Sequence, residues 1–485
     1  MKITHTFTHS SNHALLIKMI PYFPKQIATK GLYIYLGLLT ATSLVFLRYA
    51  MGIEFLLMGV MWVTGFFLLS NYCSKKWQET PQAAFLRKIF IIALVLRWAW
   101  TIFAYIYYLV KTGMPFEFSA GDSLWYYEES IGNIHTHLKD IWNYLFVNTD
   151  SVSDSGYVFY LSLLSKITGE SILLPRLINS IFSACTCILI YFLAKRNIGE
   201  EGGRIAAIFA CFMPNLIFYC GLHLKETLMI FLMIAYLERA DYLLRSKKFN
   251  VFTIAVPVLL AVSLFTFRTA LGAVAVFSFV SALVFTNTAV IGKAKRFMLI
   301  GWGILAALTL TGGTIMNEID GLIEDRESNQ ENKRQIQTEG GNQWAKYATG
   351  TVMAPMMFVV PFPTMVDVDE QYTQQMLSGG NYVRNFLGGF VLIALFSALF
   401  ITKNWRNLSL IGSFVIAYLG IVSVSGFANS ERFLLPGLPI LLIMAAYGIT
   451  QLNAKNYKFI KIWYWVVPVM VFAWAFFKLG SRGLF

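Results

Sequence analysis

The chain has 485 residues, 57% of them hydrophobic and 13% charged, with a mean hydropathy of +0.59. A water-soluble domain carries about twice that charged fraction, so a soluble globular class is excluded. The net charge of +13 sits in short basic clusters between apolar runs, which speaks against a nucleic-acid footprint and for the positive-inside bias of membrane proteins.

Residues 1–30 contain His5, His9, His13, Lys18 and Lys25 but no apolar core of signal-peptide type, and read as a cytosolic tail. Two spans follow near 31–49 and 52–70, and a third near 88–110. The long polar loop 111–172 separates it from spans near 173–194, 204–221, 226–243, 251–266, 269–287 and 296–314. A second long loop, 315–382, precedes the last four, near 383–402, 406–424, 432–451 and 460–478. The expected fold is all-α, a polytopic transmembrane helical bundle of about 13 spans. Within the first loop, Tyr157–Ile167 is apolar but too short to cross, and reads as an interfacial helix with Tyr157 and Tyr160 at headgroup level. In the second, 351–365 reads as an interfacial or re-entrant segment.

Basic residues alternate in density along this scheme. The N-terminal tail, the Lys75–Lys88, Lys195–Arg204, Arg239–Lys248 and Lys293–Arg296 segments, Lys403/Arg406 and Lys455–Lys461 together hold 23 of the 39 lysines and arginines. That set is expected to be cytosolic, with the N-terminus inside and the C-terminus outside. Asp122, Lys225, Glu226, Arg268, Glu431 and Arg432 then share the opposite face with both long loops, and the acidic ones among them play no part in the count of basic residues. The five cysteines lie in or beside spans and support neither a disulfide framework nor a thiolate metal site.

Several of these residues could carry chemistry. Asp122 follows a span within Gly121-Asp122-Ser123-Leu124-Trp125-Tyr126-Tyr127-Glu128-Glu129, where interfacial aromatics would hold a carboxylate close to the bilayer. On a helix, Tyr126 shares its face and Glu129 lies one turn on. Lys225-Glu226 reads either as a self-neutralising pair or as a lysine gripping a phosphate beside a glutamate that orients it or assists a metal. Arg268 and Arg432 are suited to a phosphodiester because the guanidinium fork binds two oxygens, though snorkelling is the plainer role. His135 and His137 read as loop histidines, and Arg97, deep in the third span, as a residue with a structural partner.

The order of these stretches resembles the GT-C glycosyltransferases, in particular bacterial enzymes related to protein O-mannosyltransferases and aminoarabinose transferases. Gly-Asp-Ser with Tyr126 and Tyr127 is similar to the family's first-loop aspartate motif. Gly156–Gly169 with Leu174-Pro175-Arg176-Leu177-Ile178-Asn179 is similar to its interfacial helix and next span. Pro214 to Glu226, and Glu431-Arg432-Phe433-Leu434-Leu435-Pro436 with Pro439, resemble its turn ending in an acidic residue and its late helix. The resemblance covers residues 88–450, leaving 31–87 as two extra N-terminal spans, 88–314 as the catalytic membrane module and 383–485 as a C-terminal membrane module.

It implies inverting transfer of a sugar from a polyprenyl-phosphate donor to a glycolipid, glycan or protein acceptor, at the outer face of a bacterial inner membrane. Asp122 would be the general base, and Lys225, Arg268 and Arg432 would hold the donor phosphate, with Glu226, Tyr126, Tyr127, Glu129 and Glu431 in support. A divalent metal stays open as cofactor, with Asp122, Glu226 and His223 as its candidate ligands. The sequence lacks the Glu-Lys-Pro motif of the aminoarabinose transferases near Asp154–Tyr157, and no large C-terminal soluble domain is expected, which leaves acceptor recognition to loops 111–172 and 315–382. The competing readings are an oligosaccharide polymerase or ligase acting on polyprenyl-linked glycans, and a lipid or solute transporter.

Overall fold

A computed structural model describes residues 21–148, 152–246, 250–285, 301, 362–368, 371–424 and 430–480. Residues 1–20 of the expected tail, all but Gly301 of the span near 296–314, and most of the 315–382 loop with the 351–361 stretch lie outside the described residues. Among the described residues every regular element is helical.

The principal helices are α1 (Lys25–Val45), α2 (Ile53–Lys76), α3 (Gln82–Thr112), α4 (Gly121–Gly132), α5 (Ser155–Thr168), α6 (Leu173–Phe212), α7 (Glu226–Arg245), α8 (Val251–Phe267), α9 (Thr269–Phe285), α10 (Ser378–Phe396), α11 (Ser409–Val424), α12 (Glu431–Thr450, tightened to a 3-10 turn at Leu435–Gly437) and α13 (Ala454–Gly480). Six are long and apolar enough to cross a membrane: α2, α3, α6, α10 with the turn after it, α12 and α13. Helices α8, α9 and α11 are apolar but shorter. On length and composition the chain is an integral membrane protein.

Two expected spans, 173–194 and 204–221, arrive as one element broken at Gly199, whose φ of +89° suits a residue without a side chain. The halves fold back on each other so closely that a Cβ on Gly203 would stand 3.0 Å from the backbone nitrogen of Lys195. Arg97 of α3 ties the two halves together. Its Nε donates to Ser183 Oγ at 2.7 Å, while its terminal nitrogens donate to the carbonyls of Ala210 at 3.0 Å and Cys211 at 3.2 Å. Pro214, four residues beyond Ala210, has no N–H to give that carbonyl, so the helix itself leaves an acceptor for the arginine. The expected structural partner of Arg97 is thus the backbone of α6.

α3 lies along α6, α6 against α7 and α12, α7 against α8, α9 against α11, and α10 against α12. The short helix α5 departs from the expectation. Tyr157 is fully buried and Tyr160 is half-buried, donating to Asn179 Oδ1 at 2.8 Å, so both rings face protein rather than headgroups. The reason is packing: α5 is covered by α4, α8 and the start of α6.

At one end of the bundle Arg196 donates to Asp241 and Glu238, each at 2.8 Å, and Arg245 donates to Asp241 at 3.0 Å and to Asn197 at 2.9 Å. Helix α7 runs 20 residues from this end to the other, about 30 Å at 1.5 Å per residue. That equals the hydrocarbon thickness of a bilayer.

Where α10 and α12 cross, a Cβ on Gly448 would overlap the Phe390 carbonyl oxygen, whereas Gly412 on α11 has no heavy atom within 4 Å of such a Cβ. Gly448→Ala should therefore lower the melting temperature in detergent, by an overpacking cost of ~1–3 kcal/mol. Gly412→Ala should leave it unchanged or raise it slightly.

Candidate active site

The opposite end of the bundle gathers residues from four distant parts of the chain. Asp122 occupies the first turn of α4, where the exposed backbone N–H groups favour a carboxylate. Ser123, beside it, donates from Oγ to Glu117 Oε1 at 2.6 Å and so fastens this turn to the preceding loop. Tyr126 is buried with its ring edge on Tyr157, 4.9 Å between centroids, and locks α4 to α5. An interfacial anchor was expected of Tyr126. It is instead an interior contact, because its side of α4 packs against α5.

Arg432, in the first turn of α12, donates through Nη1 to Asp122 Oδ2 and through Nε to Glu226 Oε1. The Glu226 side chain is 0% exposed. Its Oε1 also lies 3.6 Å from Nη2 of Arg268, which occupies an extended link between α8 and α9. Arg268 also donates to the Tyr418 hydroxyl at 3.1 Å and lies 4.4 Å above the Phe433 ring centre. Glu226 is thus a buried carboxylate between two guanidiniums. The Asp122 side chain, by contrast, is 58% exposed, and its Oδ1 has no hydrogen-bond partner among the described residues.

Lys225 takes a different direction. Its ammonium pairs with Asp154 and donates to the Phe267 carbonyl at 2.9 Å. Asp154 itself holds a left-handed backbone, φ +71°, at the start of α5. Glu431, next to Arg432, turns inward. It accepts from Asn215 and, at 3.2 Å, from Asn381, and Asn215 donates to Asn381 Oδ1 at 3.1 Å.

Asp122, Glu226, Arg268 and Arg432 therefore form one network, Lys225 adjoins it through its own partner, and Glu431 belongs to a buried amide cluster. Tyr127 donates to the Glu170 carbonyl at 3.2 Å, away from the network. Glu129 is half-buried and makes no ion pair among the described residues, and His135 and His137 are exposed. No group of three His, Cys, Asp or Glu side chains among the described residues is placed to hold a metal ion. Of the three candidate ligands, Asp122 and Glu226 both turn an oxygen on Arg432, and His223 lies edge-on to the rings of Phe116 and Tyr127.

Sequence reasoning missed Asp154, Glu117, Asn215, Asn381, Tyr418 and the role of Arg176. For Arg176 a signal was present, since it is an arginine at the head of an apolar run, as Arg432 is. Neutral Asn215, Asn381 and Tyr418 carry no such mark.

The Lys225–Asp154 pair is asymmetric, with the lysine side chain 5% exposed and the aspartate 32%. Asp154→Asn should strand a buried ammonium and destabilise by ~3 kcal/mol, while Lys225→Met leaves a carboxylate that water still reaches and costs less. A thermal-melting cycle with the double variant tests this, the double being more stable than Asp154→Asn alone.

No protein-family model and no curated protein matches this chain, so a reading of its function rests on the residues and geometry of this site.

Proposed function

We propose that the chain is an integral membrane glycosyltransferase that moves a sugar from a polyprenyl-phosphate donor to a hydroxyl acceptor. The observation that carries this reading is Asp122: an exposed carboxylate with one oxygen fixed by Arg432 and the other unpartnered, in a network that also holds Glu226 and Arg268. The order of motifs resembling GT-C enzymes supports it, as does the placement of the cluster at one end of membrane-length helices. The alternation of basic residues supports a topology of about 13 spans with this end on the periplasmic side of a bacterial cytoplasmic membrane.

In this mechanism Asp122 Oδ1 accepts the proton of the acceptor hydroxyl as that oxygen attacks the anomeric carbon. The bond from the anomeric carbon to the phosphate oxygen breaks on the opposite face, with inversion. The polyprenyl phosphate leaves with the bonding electrons, and nearby cations stabilise its growing charge. Arg432 positions Asp122 by holding Oδ2. Arg268 and Arg432 already neutralise Glu226 and Asp122, so their field on the phosphate is partly spent within the protein. Glycolipid, glycan and protein acceptors all supply the hydroxyl this chemistry requires.

The test uses membranes carrying wild type or Asp122→Asn and radiolabelled polyprenyl-phosphate sugars. Wild type should transfer label to an endogenous acceptor, and Asp122→Asn should lose ~10²–10⁴-fold in rate at unchanged protein level. Full transfer by the inserted Asn variant removes Asp122 as base. No turnover of any such donor by wild type favours transport instead.

A further inference from the structure

Beside the network lies a second group of buried polar side chains that the proposed mechanism leaves unused. Arg176, in the first turn of α6, is 0% exposed, and none of its three guanidinium nitrogens has a hydrogen-bond partner among the described residues. His223, 1% exposed in the turn before α7, has neither ring nitrogen partnered. Glu117, buried in the loop before α4, has Oε1 engaged by Ser123 but Oε2 without a partner.

Arg176 and His223 both lie against the ring of Phe116, the residue before Glu117. The Arg176 guanidinium is 5.4 Å from the centre of that ring, and the His223 ring 6.3 Å away and edge-on. Tyr127 closes the other flank of His223 at 6.1 Å.

The contrast with the neighbouring cations is the informative part. Arg432 and Arg268 share Glu226, and Lys225 has Asp154, so each already faces a carboxylate. A buried guanidinium without such a partner is costly to the fold, and sites that keep that cost are commonly ones that bind.

The chemistry of the group is that of donors. Burial and the nearby Arg176 push the His223 imidazole down to about 3, so it stays neutral with one N–H to give. Burial raises the Glu117 carboxyl above its ordinary value against the pull of Ser123, Arg176 and Arg432, and an anion bound beside it would favour the protonated form, whose O–H donates.

We infer that Arg176, His223 and the free edge of Glu117 form an anion site that receives a phosphate group. The fork of Arg176 takes two phosphate oxygens and the other two side chains cap the remainder. Ser123 links this site to Asp122, its neighbour in sequence. Assigning the phosphate to the polyprenyl donor rests on the glycosyl-transfer reading; the anion site itself does not. The site then supplies the uncommitted positive charge that Lys225, Arg268 and Arg432 have already given to carboxylates.

The experiment uses the full chain in nanodiscs and three probes: polyprenyl monophosphate, the matched polyprenol, and inorganic phosphate. Wild type should bind the polyprenyl phosphate at least ~10-fold more tightly than the polyprenol, and Arg176→Gln should erase that preference. Arg176→Lys should keep part of it. Without ligand, Arg176→Gln should melt at or above the wild-type temperature, because it removes a buried charge that makes no ion pair or hydrogen bond among the described residues and that Glu117 offsets only from a distance.

An undiminished phosphate preference in folded Arg176→Gln, or no preference in wild type, overturns the proposal. So does Arg176→Gln melting well below wild type or failing to fold, which would give the arginine a structural role. Inorganic phosphate displacing the lipid as well as polyprenyl phosphate itself does would identify a free-anion site, and displacement by the lipid alone a headgroup site. Binding without sugar transfer in wild type would retire the transferase reading and leave the anion site standing.

Discussion

The buried carboxylate of Glu226 is the constraint around which one end of this molecule is arranged. A charge with no exposed surface is tolerated only with close partners of opposite sign. Glu226 has two, Arg432 and Arg268, and each brings its own helix. Arg432 carries the start of α12 and reaches on to Asp122 on α4; Arg268 carries the link between α8 and α9 and reaches on to Tyr418 on α11. One side chain at the head of α7 therefore fixes the relative positions of five other helices. The exposure of Asp122 becomes meaningful only in that setting, because a solvated aspartate is ordinary and one held by the interior of a bundle is not.

The other end of the bundle solves the same electrostatic problem differently. Arg196, Glu238, Asp241 and Arg245 pair with one another and with backbone or amide groups. Arg97, between the two ends, is satisfied by carbonyls that Pro214 and the end of α6 leave available. At the end that holds Glu226, by contrast, Asp122 Oδ1, Arg176 and His223 have polar atoms without partners among the described residues.

Much of this was legible in the sequence. Apolar runs of membrane length marked the helices, and charges interrupting them marked Asp122, Glu226, Arg268 and Arg432, since an ionised group near hydrocarbon needs a reason to be there. What the sequence could not show is partnership. Lys225, Arg268, Arg432 and Arg176 look alike as residues at the ends of apolar runs, yet three make ion pairs with carboxylates and Arg176 makes none among the described residues. Tyr126 and Tyr157 looked like interfacial aromatics because loop tyrosines near a membrane usually are. Their burial depends on α4 and α5 packing together, which no local pattern encodes. Glu431 was grouped with Arg432 because they are adjacent, but successive residues on a helix point about 100° apart, and Glu431 serves Asn215 and Asn381 instead.

The link between Asp122 and Arg432 joins residues 310 positions apart, and this separation bears on how the protein is made. At about 5–20 residues per second, the ribosome needs ~15–60 s to travel from one to the other. Glu226 and Arg268 enter the bilayer well before the second arginine exists. Throughout that interval the nascent bundle holds a carboxylate with half its eventual compensation, and α4 lacks the tether that orients Asp122. Completion of the site thus coincides with insertion of α12 among the last helices, so no earlier intermediate of synthesis can hold Asp122 in its final pose.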